Sequence, residues 1–514
     1  MLSPKTYQLL VGVFASLGSV LYGYDLGVIG GSVASKSFIN TFNPTSNEVG
    51  AVVSVFTGGA FFGAGFAGPV GDWLGRRLTI MVGALIFCLG GGLQTGAQSL
   101  GYLYAGRFIA GLGVGFLVMI IPLYQAELAH PDIRGRITSL QQLMLAVGAL
   151  VASWCTYGTN LNISPDDNAQ WRIPLGIQIV PAAVLALLIL AFPESPRWLI
   201  DHGKTDLGLR TLARLHANGN EQDPWVLAEF EQIQAAISHE HQEAAGGYRE
   251  LFRDRSSFRR LFLMTALQAS VQMTGVSAIQ YFGPTIYAQL NVSTQDSLKY
   301  QAIGSVVALV AICVTSLTVD RTGRRWPLIG GNLGNCFCFI VVTAVVATFA
   351  SVDEPTQKSL FWLFVVINWL YQISFSYTCG TLSWVIPSEV FDTKTRSKGV
   401  SIATMVSFAF NTMIGQITDP AIESVGWRYF LLFVICNFTN AIFFWALMPE
   451  TARRPLEEMN ALFSSRSWFV PTMQRDRHAQ YDLEQRHEEK RANSIQDNQA
   501  KNVTAMVEDR SDTS

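Results

Sequence analysis

Two charged residues stand inside otherwise apolar stretches in the first part of the chain. Asp25 lies in a glycine-rich apolar stretch, and Arg107 lies near the start of another one. Because an unpaired charge in hydrocarbon is costly, we expect these two side chains to form a pair. A carboxylate that is paired in one conformation, and dry and unpaired in another, can bind and release a proton. The pattern therefore predicts a proton-binding site or, alternatively, a permanent ion pair that holds two helices together.

Enzyme chemistry is not indicated by the sequence. It contains no nucleophile–base arrangement, no phosphate-binding loop and no residues at metal-ligand spacing. The charged loop Asp72–Arg77 lacks the lysine and the spacing of a phosphate-binding loop, and all seven cysteines lie in apolar stretches. Such cysteines are expected to be buried free thiols. We therefore expect no catalytic residues, no metal, no cofactor and no nucleic-acid partner.

Long apolar helices must position the two charges. Of the 514 residues, 49% are hydrophobic and 14% are charged, and the mean hydropathy is +0.27, which is unusual for a soluble protein of this length. A membrane-spanning helix needs about 20 mainly apolar residues. Twelve stretches meet that requirement, namely residues 9–31, 49–70, 78–98, 103–126, 137–158, 172–192, 259–289, 298–319, 327–349, 359–386, 397–417 and 427–448. The sequence predicts an all-α membrane protein with twelve transmembrane helices.

The charged motifs between these stretches occur twice, in the same order. Gly71–Arg77 returns as Asp320–Arg325, Glu127 and Arg134 return as Glu389 and Arg396, and Pro193–Arg197 returns as Pro449–Arg453, at offsets of 248 to 262 residues. Such a repeat predicts two homologous halves, each a bundle of six helices. Paired halves with a site between them are a common architecture of secondary transporters.

Polar segments divide the chain into four predicted parts. Residues 1–192 form an N-terminal six-helix bundle, 193–257 a cytoplasmic helical linker, 258–463 a C-terminal six-helix bundle, and 464–514 a disordered cytoplasmic tail. Basic residues such as Arg76, Arg134 and Arg324 concentrate in the loops on one side of the predicted membrane. Because cations concentrate in cytoplasmic loops, both termini are expected in the cytoplasm.

Several motifs together resemble one family. They are Gly23-Tyr24-Asp25, the Gly-Asp-x-x-Gly-Arg-Arg loop at Gly71–Arg77, Gln141-Gln142-Leu143, Pro193-Glu194-Ser195-Pro196-Arg197 and Pro387-Ser388-Glu389. The chain resembles the sugar porters of the major facilitator superfamily in their fungal form, over roughly residues 9–463. The resemblance implies the major facilitator fold, in which two pseudo-symmetric six-helix bundles rock about a central site.

The resemblance also implies a function. It is that of a secondary active transporter that imports a neutral sugar by proton symport and alternating access, with Asp25 and Arg107 as the proton-coupling pair. Two alternatives remain open, namely a passive sugar facilitator and a sugar sensor that does not transport. We expect a multi-pass protein of the plasma membrane that contacts the lipid bilayer and protons and works as a monomer.

Amide and aromatic side chains are the predicted substrate contacts. Gln268 and Gln272 are four residues apart and share one helix face, and amides both donate and accept hydrogen bonds, which suits sugar hydroxyls. By resemblance the substrate-binding residues are Gln142, Gln268, Gln272, Ser277, Tyr281, Trp384 and Asn411. Hydrogen bonding between helices is the alternative role of these amides.

The chain departs from the family pattern at several of these positions. Val271, Ser277, Ala308 and Ser407 stand where the family usually carries an amide side chain, and no Lys, Arg or His replaces the lost amides inside the spans. Standard glucose recognition is therefore not implied, and an anionic substrate has no obvious counter-charge. We expect a neutral polyhydroxyl substrate, whether a hexose, pentose, polyol or small oligosaccharide.

Charged residues at the cytoplasmic ends of the helices form a predicted gating network. Exposed pairs are each worth about 0–1 kcal/mol, but a network that joins the two halves can bias a two-state equilibrium. The alternative is that these charges only orient the chain in the membrane. The network comprises Asp72, Arg76, Arg77, Glu127, Arg134, Glu194, Arg197, Asp320, Arg324, Arg325, Glu389, Arg396 and Glu450.

Overall fold

The computed structural model describes residues 4–243, 248, 250–391, 395–452, 462–463 and 468–470; the side chains of some of these, including 131–139 and 319–320, lie outside the description. The described residues up to 463 belong to one compact unit, and the site lies in it. The predicted tail, residues 464–514, is outside the described residues except at 468–470.

The first half contains six spans. They are built from α1 (Pro4–Ala15) with α2 (Leu17–Val33), α4 (Ser46–Leu74), α5 (Arg76–Thr95), α6 (Leu100–Leu128), α7 (Pro131–Asn162), and α8 (Ala169–Ile177) with α9 (Ile179–Leu188), while α3 (Lys36–Phe42) is short. A capping box starts α4, in which the Thr45 side chain accepts from the backbone of Glu48 and the Glu48 side chain accepts from that of Thr45. The caps satisfy backbone N–H groups that the first helical turn leaves unpaired.

Short helices make up the linker between the halves. They are α10 (Pro196–Asp201), α11 (Thr205–His216), α12 (Pro224–Glu243) and α13 (Glu250–Arg253). Leu212, Ala213 and Val226 form a small buried cluster between α11 and α12. The linker therefore has an apolar contact of its own, which buries one face of each of these two helices.

The second half repeats the arrangement with irregularities. Its helices are α14 (Arg255–Gln272), α15 (Val276–Ala288), α16 (Thr294–Thr322), α17 (Arg325–Phe349), α18 (Glu354–Phe375), α19 (Thr381–Val390), α20 (Arg396–Val425) and α21 (Tyr429–Leu447). The seventh span breaks between α14 and α15 at Gly275. The φ of this residue is 96°, a value that glycine adopts more easily than other residues. Gly275 and Gly283-Pro284 predict breaks in this span, because glycine and proline interrupt helices; the span breaks at Gly275, and a kink at Phe282 precedes Gly283.

The tenth span differs from the prediction. Gly380 and Pro387 predict a break in it, because glycine and proline interrupt helices, but a π-helical turn at Ser376–Gly380 joins α18 to α19, and Pro387 lies inside α19. The π turn inserts an extra residue into the helix without ending it, so the span is bulged rather than interrupted.

The predicted number of spans is confirmed. Among the described residues, eleven helical stretches are long and apolar enough to cross a membrane, and the last of them, Lys398–Leu447, is 50 residues long. It contains both α20 and α21, which separate at Gly426 with a φ of 56°. Counting these two helices separately gives twelve spans in an all-helical membrane protein.

The two halves touch along polar and glycine-lined seams. Between α4 and α20, Ser54 donates to Gln416 over 2.7 Å and Thr57 pairs with Thr412 over 2.8 Å. Between α2 and α15, a Cβ atom on Gly30 would lie only 2.5 Å from the carbonyl oxygen of Tyr281. Glycine thus allows the first span to approach the seventh closely, and both carry predicted site residues.

Candidate functional site

Asp25 and Arg107 form a fully buried ion pair. Arg107 Nη1 lies 2.5 Å from Asp25 Oδ1, and neither side chain is accessible to solvent. Three further contacts hold the guanidinium. Its Nε donates to the Val52 carbonyl over 2.9 Å, its Nη1 lies 3.4 Å from Gln94 Oε1, and its Cζ lies 4.4 Å from the centre of the Phe56 ring. Arg107 is thus anchored by α4 and α5 as well as by Asp25.

The packing of α2 explains how Asp25 reaches this place. A Cβ atom on Gly23 would lie 1.8 Å from the carbonyl oxygen of Leu145 on α7. The missing side chain lets the two backbones meet, and α2 is buried along most of its length. The carboxylate on such a helix cannot reach water, so it depends on Arg107 for its charge to be tolerated.

The pair leaves some hydrogen-bonding capacity unused. Among the described residues, Asp25 Oδ2, Arg107 Nη2 and Gln94 Nε2 are buried and have no hydrogen-bond partner. A buried polar atom without a partner costs free energy. The site therefore has an oxygen that can take a proton without first breaking a hydrogen bond.

A second cluster lies in the other half, where the predicted amides meet. Gln272 Nε2 donates to Ser407 Oγ over 3.0 Å, while its Oε1 accepts from Ser277 over 2.7 Å and from Asn411 over 3.2 Å. Tyr281 donates to Asn411 Oδ1 over 3.1 Å. Four of the predicted residues, Gln272, Ser277, Tyr281 and Asn411, are therefore in one network.

The three other predicted substrate residues lie apart from that network. Gln268 is buried and donates to the carbonyl of Ser383 over 2.8 Å. Trp384 is half-buried and packs against the core of the first half. Gln142 is half-buried, and its Oε1 is a buried acceptor that receives no hydrogen bond from any described residue. Of the seven residues, Gln142 thus offers a free acceptor.

Tyr281 connects the ion pair with the amide network. It is 1% exposed, and its phenol lies within electrostatic range of Tyr22, Asp25 and Arg107. Tyr281, Phe282 and Phe408 of the second half also belong to the apolar core of the first. Polar groups of both halves therefore lie close enough for a charge on one side to act on the other.

Charged residues at the start of α5 form a cluster at one end of the unit. We call the end that contains Asp72, Arg76, Arg77, Glu127 and Glu194, with their counterparts in the second half, the basic end. Arg76 Nη2 lies 3.1 Å from Glu127, and Arg76 Nη1 lies 2.8 Å from Asp72. Glu194 accepts from the backbone nitrogens of Arg76 and Arg77 over 3.0 and 3.2 Å. Burial raises the pKa of the Glu194 carboxyl, whereas these donors and the Arg77 charge act in the opposite direction.

The second half repeats this cluster at the start of α17. Arg324 Nη2 lies 2.8 Å from Glu389, and Glu450 accepts from the backbone nitrogens of Arg324 and Arg325 over 2.9 and 3.1 Å. Gly75 and Gly323 precede the two arginine pairs with φ values of 92° and 81°. The repeated motif thus has the same local geometry in both halves.

The remaining charges of the predicted network are placed as follows. Arg197 is half-buried in α10, and Arg396 Nε donates to the Phe391 carbonyl over 3.4 Å. The side chains of Arg134 and Asp320 lie outside the described part of the chain. The ion pairs given above join charges of the same half, because Arg76 and Arg324 each pair with a glutamate of their own bundle. A charged contact between the halves stays a prediction.

Comparison with known families decides the assignment. The family described as sugar (and other) transporter matches residues 11–463. The chain belongs to the sugar transporter family. Its proteins are transporters, so this chain is a multi-pass membrane transporter and not an enzyme.

Relatives of this transporter support the same assignment. The MFS-type transporter criB of Aspergillus cristatus is 33% identical over 453 residues, which cover 88% of this chain and 92% of that protein. The quinate permease of Emericella nidulans is 31% identical over 477 residues, which cover 89% and 88%. The solved structure of the MFS proton:xylose symporter XylE, bound to 6-bromo-6-deoxy-D-glucose, matches with a TM-score of 0.73 at 24% identity, covering 89% of this chain and all of that one. This similarity establishes the major facilitator fold.

Some residues at the centre of this transporter were not predicted from the sequence. Gln94 and Phe56 contact Arg107, and Ser407 contacts Gln272. Gln94 could have been noticed, because an amide inside an apolar span usually has a partner. Phe56 carried no such signal, since aromatic residues are common on any apolar helix.

Proposed function

We propose that this transporter imports a neutral polyhydroxyl compound together with a proton, by alternating access. The substrate class comprises hexoses, pentoses, polyols and small oligosaccharides. The basic end faces the cytoplasm, the protein resides in the plasma membrane, and a single chain is the working unit.

The observation that carries the proposal is the buried pair of Asp25 and Arg107. The pair lies within electrostatic reach of Tyr281, which is hydrogen-bonded into the amide network. A change in the charge of Asp25 would therefore be felt at the groups that we expect to hold the substrate. Intramembrane ionisable residues with this kind of environment commonly serve proton transport.

The available driving force is sufficient for such coupling. One proton that moves through a membrane potential of about 150 mV releases roughly 3.5 kcal/mol. Since about 1.4 kcal/mol corresponds to a tenfold concentration ratio, this supports accumulation of two to three decades.

The proposal of a neutral substrate rests on the hydrogen-bonding groups and the charges near the amides. Gln142 provides a free acceptor, and the network of Gln272, Ser277 and Asn411 provides hydroxyl and amide groups that can exchange partners with a sugar. Arg107, the cation at this centre, is paired with Asp25. A carboxylate substrate would have to compete with Asp25 for that cation, which a neutral one does not.

An uptake screen tests the substrate class. The full chain would be expressed in a host without its own sugar transporters and offered labelled hexoses, pentoses, polyols, disaccharides and quinate. We expect uptake of at least one neutral compound and none of quinate. Uptake of quinate alone would contradict the neutral class while leaving a transporter.

Substitution of Asp25 tests the coupling. Asp25→Asn preserves the shape of the side chain but removes the proton site, so accumulation against a gradient should be lost while equilibrative exchange survives in part. Uptake by the parent should fall as external pH rises towards neutrality and should collapse with a protonophore. A parent that ignores both pH and protonophore would be a facilitator, and sugar-dependent signalling without uptake would identify a sensor.

A further inference from the structure

Arg107 has three partners in addition to Asp25. The Val52 carbonyl, the Gln94 side-chain oxygen and the face of the Phe56 ring surround the guanidinium on α4 and α5. All three are neutral and none titrates. They therefore remain available to the cation in whichever protonation state Asp25 adopts.

That arrangement matters at the moment when Asp25 takes up a proton. The neutral carboxyl attracts Arg107 much less than the carboxylate does, so the cation would be left buried with its charge uncompensated. A buried charge without partners is strongly unfavourable. A polar oxygen and an aromatic face reduce this penalty.

We propose that Gln94 and Phe56 are positioning residues that hold Arg107 when Asp25 is protonated, and thereby set the pH at which Asp25 exchanges its proton. The inference rests on the proposed proton coupling and adds to it the groups that tune it. The proton from solvent bonds to Asp25 Oδ2, which has no hydrogen-bond partner among the described residues. Arg107 keeps its own proton throughout.

The other titratable groups around Asp25 do not replace these two residues. Tyr22 on the same helix and Tyr281 on α15 lie within electrostatic range of Asp25, and Cys155 on α7 lies against Tyr24. Phenols ordinarily ionise near pH 10 and thiols near pH 8.5, so these groups are neutral near pH 7. Arg107 is the charged partner, and its surroundings decide how firmly it holds Asp25 in the ionised state.

The sign of the effect follows from this competition. Removing the Gln94 oxygen destabilises the state with protonated Asp25 more than the state with the ion pair. The proton is then bound less tightly, and the midpoint of Asp25 titration moves to lower pH. Removing the Phe56 ring should act in the same direction.

Infrared spectroscopy can follow Asp25 without any knowledge of the substrate. The purified full chain in lipid would be titrated with pH, and the carboxylic-acid band that Asp25→Asn removes would be assigned to Asp25. The variants are Gln94→Met, which keeps the shape but loses the oxygen, and Phe56→Leu. Gln178→Met is the matched control, because Gln178 is equally buried in the first half and its side-chain amide has no hydrogen bond to any described residue.

We expect the midpoint to fall by about 0.5 to 1 pH unit in Gln94→Met and in Phe56→Leu, a three- to tenfold loss of proton affinity, and to stay unchanged in Gln178→Met. Asp25 titrating with the same midpoint in every variant, or moving to higher pH, would overturn the inference and leave proton coupling intact. A parent in which the Asp25 band never changes with pH would remove the proposed coupling, and the inference with it. A loss of thermal stability alone would not shift the midpoint.

Discussion

The two halves agree at the basic end and differ at the centre. In both, a glycine with positive φ precedes two arginines whose backbone nitrogens donate to one glutamate while the first arginine pairs with another. At the centre, the first half holds a buried ion pair and the second an uncharged network of amides and hydroxyls. The repeated part thus has the same local geometry in both halves, whereas the polar centre is divided into a charged part and an uncharged part.

The division has a physical advantage. A cation in the second half would compete with Arg107 for Asp25, and a carboxylate would raise the cost of burying charge. With neutral groups on one side, the charge of Asp25 can change without disturbing a second ion pair. The comparison therefore predicts equivalent roles at the basic end and separate roles at the centre.

The largest expected effect tests whether the arginine–glutamate pairs of the two halves at the basic end contribute equally to stability. The side chain of Glu127 is 8% exposed, whereas that of Glu389 is 28% exposed. Arg76→Ala should therefore cost about 3 kcal/mol, because it leaves a buried carboxylate unpaired, and Arg324→Ala should cost about 1–2 kcal/mol, because Glu389 can be hydrated. Thermal unfolding of the purified variants measures the difference, and Arg76→Ala combined with Glu127→Gln should recover part of the loss. Equal losses in the two halves would show that exposure does not distinguish them.

The next effect concerns the two glycines that open the repeated motif. A Cβ atom would lie 2.7 Å from Glu194 Oε2 at Gly75 and 2.9 Å from Glu450 Oε2 at Gly323. Their φ and ψ values fall in a region that is almost confined to glycine. Gly75→Ala and Gly323→Ala should each cost about 2 kcal/mol, measured as lower unfolding temperatures.

Gly203→Ala separates the two causes. Gly203 has a φ of 72°, but a Cβ atom there would meet nothing within 4 Å, so only the backbone strain would remain and the loss should be smaller. If all three alanine variants lost the same stability, contact with the glutamates would contribute nothing.

The smallest effect compares the amides of the two halves. Gln142→Ala and Gln272→Ala should each raise the half-saturation concentration for the best substrate at least tenfold, which corresponds to about 1.4 kcal/mol, with surface expression intact. Gln178→Ala is the control, because Gln178 is a buried amide whose side chain has no hydrogen bond to any described residue of the network. Two variants that transport like the parent would mean that these amides only join helices.

Much of the fold could be predicted from the sequence, because its signals are local or repetitive. The twelve spans follow from the length of apolar stretches, and the two halves follow from motifs such as Glu127 and Glu389 at a nearly constant offset. The break at Gly275 could also be predicted from the sequence, since glycine allows a positive φ. The π turn at Ser376–Gly380 was not, because it depends on packing around the tenth span rather than on one residue type.

At the centre the sequence determined which residue types were available, and the tertiary structure decided which atoms meet. An intramembrane aspartate and a single arginine could be matched as candidates because an unpaired charge in hydrocarbon is costly. The other contacts depend on helices that are distant in the chain. Arg107 also contacts Gln94 and Phe56. The amide of Gln272 is hydrogen-bonded to Ser277, Ser407 and Asn411, whereas Gln142 Oε1 receives no hydrogen bond from any described residue. Hydrophobic length is a property of one segment, whereas a hydrogen bond between segments needs their packing to be fixed first.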